Sequence, residues 1–272
     1  MHLIHEHFNN INELIKTVYN RPNNSVMKDA HSSIKKSDGS WEGTKSWEEA
    51  IELLKFGYTD ILPNIKKNMR VNSKKYKNYF FSEQRKIVNM PMGYIPNIPN
   101  SIMNLPNSMI FIESTPIKTK TISIIYKIGG SAFESADMFI KAGTSLLTAI
   151  NIIEKQGIQV KLSICFFGTR EDEEVVFPTV SVKNYGQKLD LQKLCFPIAH
   201  PSMFRRIGFK YLETCPKITN KGWSFGYGNP NIDLLKIKKE LNINDNVFLL
   251  DCRTIRDNNY DVKKILESFE II

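Results

Sequence analysis

TISIIYKIGGSAFESADMFIKAGTSLLTAINIIEKQGIQVKLSICFFG, residues 121–168, decides how the chain folds. An apolar run over Thr121–Ile128 reads as a strand, and Gly129-Gly130 turns the chain. Ser135 is placed to cap a helix whose stripe is Met138, Phe139, Ala142, Leu146, Ala149, Ile150 and Ile153, with Gly157 as its stop. A second strand follows at Val160–Phe167. Strand, crossover helix, strand is the β-α-β unit, which pairs two parallel strands beneath their helix. A charged turn, Thr169-Arg170-Glu171-Asp172-Glu173-Glu174, then leads into Val175–Lys183. The expected fold is therefore α/β. It has an open, mostly parallel sheet, one antiparallel strand at the sheet edge and helices on both faces. The acidic turn is the solvated tip of the hairpin.

Upstream, Phe8, Ile11, Leu14, Ile15 and Val18 keep helical spacing, so residues 1–20 read as a helix ended by Arg21-Pro22. Loop follows over 22–45. Ser46-x-x-Glu49 is a capping box, with Trp47, Ala50, Ile51 and Leu54 on the helical period and Gly57 at the end. Pro91, Pro96, Pro99 and Pro106 exclude a regular helix or a central strand over 90–108. That segment reads as an extended strap burying Met90, Met92, Tyr94, Ile95, Ile98, Ile102, Met103 and Leu105. The chain thus divides into a helical extension (1–89), a proline-rich strap (90–118) and the α/β domain (119–272). Within the last, a short helix stops at Pro197 and a second begins at Pro201. A glycine-rich loop covers 216–231 and a short basic helix Asp233–Leu241. The strand Val247–Leu250 ends in Asp251, and Tyr260, Val262, Ile265, Leu266 and Phe269 form a last helix.

The bulk numbers exclude several classes. The chain has 272 residues and a formal charge of +9, made largely of lysine in a chain rich in Asn and Ile. Cys165, Cys195, Cys215 and Cys252 form no metal spacing and read as reduced thiols of an intracellular protein. No signal peptide and no membrane span are expected, so no membrane partner is. His2, His5 and His7 crowd the start but lack further ligands at metal spacing, and neither a metal nor a cofactor is expected. No complete catalytic motif is present.

Three sets of residues remain as candidates. His200 with Arg205 and Arg206 near a helix start suits an anion, or serves as cap and ion-pair partner to Glu213 and the acidic turn. Lys66, Lys67, Arg70, Lys74, Lys75 and Lys77, interleaved with Tyr76 and Tyr79, suit a polyanion, or form a solvated connector. Gly129, Gly130 and Ser131, with Trp223, Tyr227 and Asp251, are loop positions suited to a partner.

Over residues 119–270 the order of elements resembles a von Willebrand factor A-type domain. That family holds a divalent cation through Asp-x-Ser-x-Ser at the end of its first strand. Tyr126-Lys127-Ile128-Gly129-Gly130 stands there instead, and Lys127 would repel the ion, so the resemblance implies a degenerate site. Asp251 matches a more distant carboxylate of that family. The whole chain is similar to a family of bacteriophage proteins without an established activity. SWEGTKSWEEAIELLKFGY (40–58), AGTSLLTAINIIEKQGIQVKL (142–162) and HPSMFRRIGFKYLE (200–213) carry that resemblance. It implies a phage or prophage origin and the cytoplasm of a bacterial host. The leading expectation is a non-enzymatic interaction protein, with an AAA+ ATPase or a phage component as partner. A nucleic-acid-binding protein using residues 66–86 is the second, and phosphoryl or nucleotide chemistry around His200, Arg205, Arg206 and Asp251 the third.

Overall fold

Runs of branched apolar residues with no polar face belong in the middle of a sheet that is covered on both sides. The computed structural model describes residues 2–27, 33–76, 86–113, 120–170, 174–229, 234–244 and 246–270. In chain order its elements are β1 (His2–Phe8), α1 (Ile11–Asn20), α2 (Trp47–Phe56), α3 (Leu62–Lys75), β2 (Lys86–Met90), β3 (Ile95–Pro96), α4 (Ile98–Ile102) and β4 (Met109–Glu113). There follow β5 (Thr121–Lys127), α5 (Ala136–Lys155), β6 (Gln159–Cys165), β7 (Gly168–Arg170), β8 (Glu174–Lys183), α6 (Leu191–Ala199), a π-helical turn Met203–Gly208 and α7 (Phe209–Thr214). The chain closes with α8 (Leu234–Glu240), β9 (Val247–Asp251), α9 (Cys252–Asp257) and α10 (Val262–Ser268).

The main sheet runs β1-β8-β6-β5-β9, with β7 also paired to β8. β5 pairs parallel to both β6 and β9, and β6 pairs antiparallel to β8. The mostly parallel α/β sheet with one reversed junction is thus as expected. The position of β8 is not: β1 pairs parallel to its outer side from Glu174 to Val180. A strand buried along nearly its whole length would otherwise present free N–H and C=O groups to other chains. The helix expected over residues 1–20 is therefore shorter. Ile4 and Phe8 are buried on one side of a strand, and Asn10 accepts the Glu13 N–H to start α1 at Ile11. Phe8 fits either period, and the open flank of β8 selects the extended one. Residues 2–8 join the sheet instead of opening a helical extension.

Most helices pack on one face, where Ile124, Tyr126, Leu162 and Ile164 meet α5. The other face holds Cys165, Phe167, Val175 and Phe177 beneath Ile237 of α8. α5 is long and apolar enough to cross a membrane, but most of it is buried inside the fold, which makes it the core helix. Gly143 lets α6 approach: a Cβ there would stand 2.6 Å from Ala199 Cα. The capping box holds, since Ser46 Oγ accepts the Glu49 N–H at 3.2 Å while Glu49 reaches back to the Lys45 N–H. Pro197 does not end its helix. α6 continues to Ala199, where the loss of one backbone bond near a terminus is tolerated.

Two further expectations fail. Thr169 and Glu174 are buried, and Glu174 accepts the Thr219 and Asn220 N–H groups, so the described part of the acidic turn is no solvated tip. Residues 171–173 lie outside the described residues. The described part of the proline-rich strap contributes no residue to the core clusters. With Lys86–Met90 it folds into a separate three-stranded sheet, β2-β4-β3, and the eight apolar residues expected to be buried are exposed.

Gly143→Ala forces α5 and α6 apart and costs about 1–3 kcal/mol of unfolding free energy in urea titration. An unchanged midpoint would mean the helices do not meet at Gly143.

Candidate functional site

Open α/β sheets bind ligands beyond the carboxyl ends of their strands, at the point where strand order reverses. Here β5 leads through α5 to β6 on one side, while β9 lies on the other. Lys127 and Asp251 are the last paired residues of the β5–β9 ladder, so both side chains stand at that crevice. Lys127 Nζ lies 2.7 Å from Asp251 Oδ2, with Lys127 only 1% exposed, and 5.6 Å from the Phe167 ring centre. Asp251 also accepts the Arg253 N–H on Oδ1 and Arg253 Nη2 on Oδ2, each at 2.9 Å, which makes it the cap of α9 as well. Burial pushes the Asp251 carboxyl up, but Lys127 and Arg253 outweigh burial and hold it below the ordinary aspartate value.

The surrounding groups are chemically quiet. Burial, aided by Asp251, raises the Cys252 thiol to about 12, and Cys252 Sγ donates to the Gly129 carbonyl. Burial raises Cys165 further still. Neither is a thiolate near neutral pH. Gly130 is covered by Glu134, whose carboxylate takes Arg256 Nη1 at 2.8 Å. The 128–135 loop is held by Trp41 Nε1 donating to the Ala132 carbonyl at 2.8 Å and by Arg205 Nη2 donating to the Glu134 carbonyl at 2.6 Å. Ser131 is half-buried, and at the crest of this loop Phe133 is 99% exposed.

The anion trio does not converge on a ligand. Arg206 donates to the Ser33 and Lys35 carbonyls at 3.0 Å, to Thr44 O at 2.7 Å, to Thr44 Oγ1 at 2.8 Å and to Ser37 Oγ at 3.2 Å. The 33–44 loop is wound around that guanidinium. Arg205 stacks on Trp41 at 4.2 Å, and burial lowers it to about 10, so it keeps its charge near neutral pH. His200 stacks on Phe196 and meets Tyr58 edge-on, while its Nδ1 accepts the Ser202 N–H at 3.2 Å. Burial lowers its pKa to about 4, which leaves it neutral. Neither arginine pairs with Glu213, which takes the Ser33 N–H and the Tyr227 hydroxyl. The glycine-rich loop is no free partner loop either: Trp223 is fully buried, and Tyr227 lies flat on Phe209 at 3.6 Å.

Of the polyanion set, Lys66, Lys67, Arg70, Lys74 and Lys75 are exposed on α3. Tyr76 is buried and offers no stacking face, while Lys77 and Tyr79 lie outside the described residues. A groove of about 540 Å³ separates α3, α5 and the turn before α10, lined by Lys67, Asn68, Asp137, Lys141 and Asp261 among others. Neither Lys127 nor Asp251 lines it. Among the described residues no cluster of three or more His, Cys, Asp or Glu could hold a metal, and the three N-terminal histidines sit along β1, where His5 and His7 both meet Thr179 Oγ1.

Sequence reading missed the Lys127–Asp251–Arg253 grouping, although Lys127 and Asp251 were each visible at strand ends. It also missed Phe133 and the role of Trp41. A family model described as Domain of unknown function (DUF7192) matches residues 2–272, and the chain belongs to that family. No curated protein and no solved structure matches it.

Lys127→Ala takes one of its two cations from a buried carboxylate and destabilises the fold by about 3–5 kcal/mol, while Lys127→Met with Asp251→Asn, which keeps an acceptor for the start of α9, recovers most of that loss in urea titration. A Lys127→Ala protein as stable as wild type would show that the pair is solvated. His200 gives a separate pH signature. Its folded pKa of about 4 lies below the ordinary 6.5, so the unfolded chain binds the proton first as pH falls. Stability is full above pH 6.5 and declines by about 3 kcal/mol between 6.5 and 4. His200→Gln flattens that decline, and an unchanged slope would exclude His200 as its source.

Proposed function

We propose that this member of the DUF7192 family is a non-enzymatic interaction protein, an A-type-like α/β domain whose cation has been replaced by an internal ammonium group. The observation that carries the reading is the Lys127–Asp251 pair at the strand-order reversal. A divalent cation in such a crevice would need hard oxygen ligands open to it. Asp251 instead spends its oxygens on Lys127, Arg253 and the start of α9. The nearby thiols are held protonated and His200 is held neutral by burial, so activated nucleophiles and bases are lacking among these groups.

Such a domain works by presenting a surface. The 128–135 loop is fixed at its base by Trp41, Arg205 and Arg256 and holds Phe133 out to solvent. A rigid loop with an exposed aromatic side chain suits a hot spot for a protein partner. An AAA+ ATPase or a phage component is the partner class that the resemblances imply, in the cytoplasm of a bacterial host. The nucleic-acid reading keeps the α3 charges but loses the Tyr76 platform. The phosphoryl reading loses the anion site, since Arg206 is engaged by the 33–44 loop.

Immobilised wild-type protein retains its partner from expressing cells in high salt and EDTA, and Phe133→Asp reduces that retention at least about tenfold. Turnover of nucleotides or phosphoesters by the purified protein, lost on Arg205→Ala, would overturn the reading.

A further inference from the structure

We propose that residues 86–113 form a contact unit for the interface of an anionic lipid bilayer, with the basic face of α3 supplying the charge that holds the protein there. This inference rests on the small sheet and is independent of the state of the Lys127–Asp251 pair. It departs from the expectation of no membrane partner, which concerned spans. An interfacial contact lies on the bilayer and needs none.

The first observation is charge. A quarter of the chain is charged, yet no Asp, Glu, Lys, Arg or His lies between Lys86 and Glu113. The second is exposure. Met92, Ile102 and Tyr94 are 83%, 79% and 77% exposed, and Ile98 and Met103 are also open. No residue of the unit belongs to either core cluster of the described residues. Soluble surfaces rarely hold so many large apolar side chains together without a purpose.

The third observation separates a lipid phase from a protein surface. Several polar groups of the unit bond to one another. Asn97 Nδ2 donates to Asn89 Oδ1 at 3.1 Å, and Asn100 Nδ2 donates to the Asn107 carbonyl at 3.1 Å. Backbone N–H groups of Tyr94, Asn97, Ser101, Met103 and Leu105 find carbonyls within the same unit. The prolines remove further donors. Internal bonds and the lack of charges lower the cost of entering a medium that offers no hydrogen bonds. A protein interface would instead call for a polar rim with groups left to bond across it. Nucleic acid would gain nothing from an uncharged apolar tip.

The charge lies nearby in the sequence. Lys66, Lys67, Arg70, Lys74 and Lys75 are exposed on α3, which carries no acidic residue. Residues 76–85 separate α3 from β2 in sequence, a distance of at most about 40 Å of chain. Basic residues beside an apolar inserting segment match the phosphate layer of an anionic leaflet above its hydrocarbon.

The test is co-sedimentation of the full-length protein with vesicles of phosphatidylcholine alone or mixed with phosphatidylserine. The protein binds the mixed vesicles at least about tenfold more tightly, and added salt weakens that preference. Ile98→Asn with Ile102→Asn, both exposed positions, reduces binding to both kinds about tenfold with an unchanged circular dichroism spectrum. Lys66→Glu with Lys67→Glu and Lys74→Glu removes only the preference for phosphatidylserine. Tyr94→Trp gains a blue-shifted emission component on adding mixed vesicles. Absence of vesicle binding, or binding indifferent to the Ile98/Ile102 change, overturns the proposal. So does a lipid-free homodimer or a lipid-free protein complex that the same change dissolves, since the surface would then belong to a second copy or to a protein.

Discussion

A lysine ammonium group taken out of water must find a carboxylate, and where it finds one it fixes the local structure. Lys127 meets that requirement with Asp251 across two neighbouring parallel strands. The same carboxylate caps α9 and takes Arg253, so strand pairing, helix start and charge balance meet in one group. Pairs of this kind add little net stability over an apolar filling, but removal of either partner is costly. The pair therefore keeps β5 and β9 in register and closes the crevice that sheets of this type use for ligands. The nearby thiols stay protonated because they are buried; Asp251 adds to that effect and Lys127 opposes it.

Buried cations recur on the helical side of the sheet with a different purpose. Arg206 and Arg205 bond mainly to backbone carbonyls, and through them organise the 33–44 and 128–135 loops. The irregular π-helical turn that carries both arginines places them side by side, facing two loops far apart in sequence. What looked like an anion site is a device for holding chain segments without secondary structure of their own. Loops held this way are stiff, which is what a partner-presenting surface requires.

The central architecture was legible because period and punctuation agreed: branched apolar strands, a striped helix, and glycines at its ends. Ser46-x-x-Glu49 was legible for the same reason. The N-terminal strand was not, because Phe8 and Ile11 satisfy a helical spacing and only the open flank of β8 selects the extended form. The strap was misread because apolar content signals burial only on average, and here Met92, Ile98 and Ile102 face outward. At the site, Lys127 and Asp251 could be placed at strand ends from sequence, but not their 2.7 Å contact, which depends on β9 lying beside β5. Arg206 was opaque for a plainer reason: its partners are largely backbone carbonyls, and carbonyls leave no trace in residue identity.

The most direct measurement of the central claim is a crystal structure grown in manganese and phased on the metal's anomalous signal. The account predicts Lys127 Nζ in hydrogen-bond contact with Asp251 and no anomalous peak at the ends of β5 and β9. A manganese ion bound to Asp251, with the Lys127 side chain swung away, would contradict it.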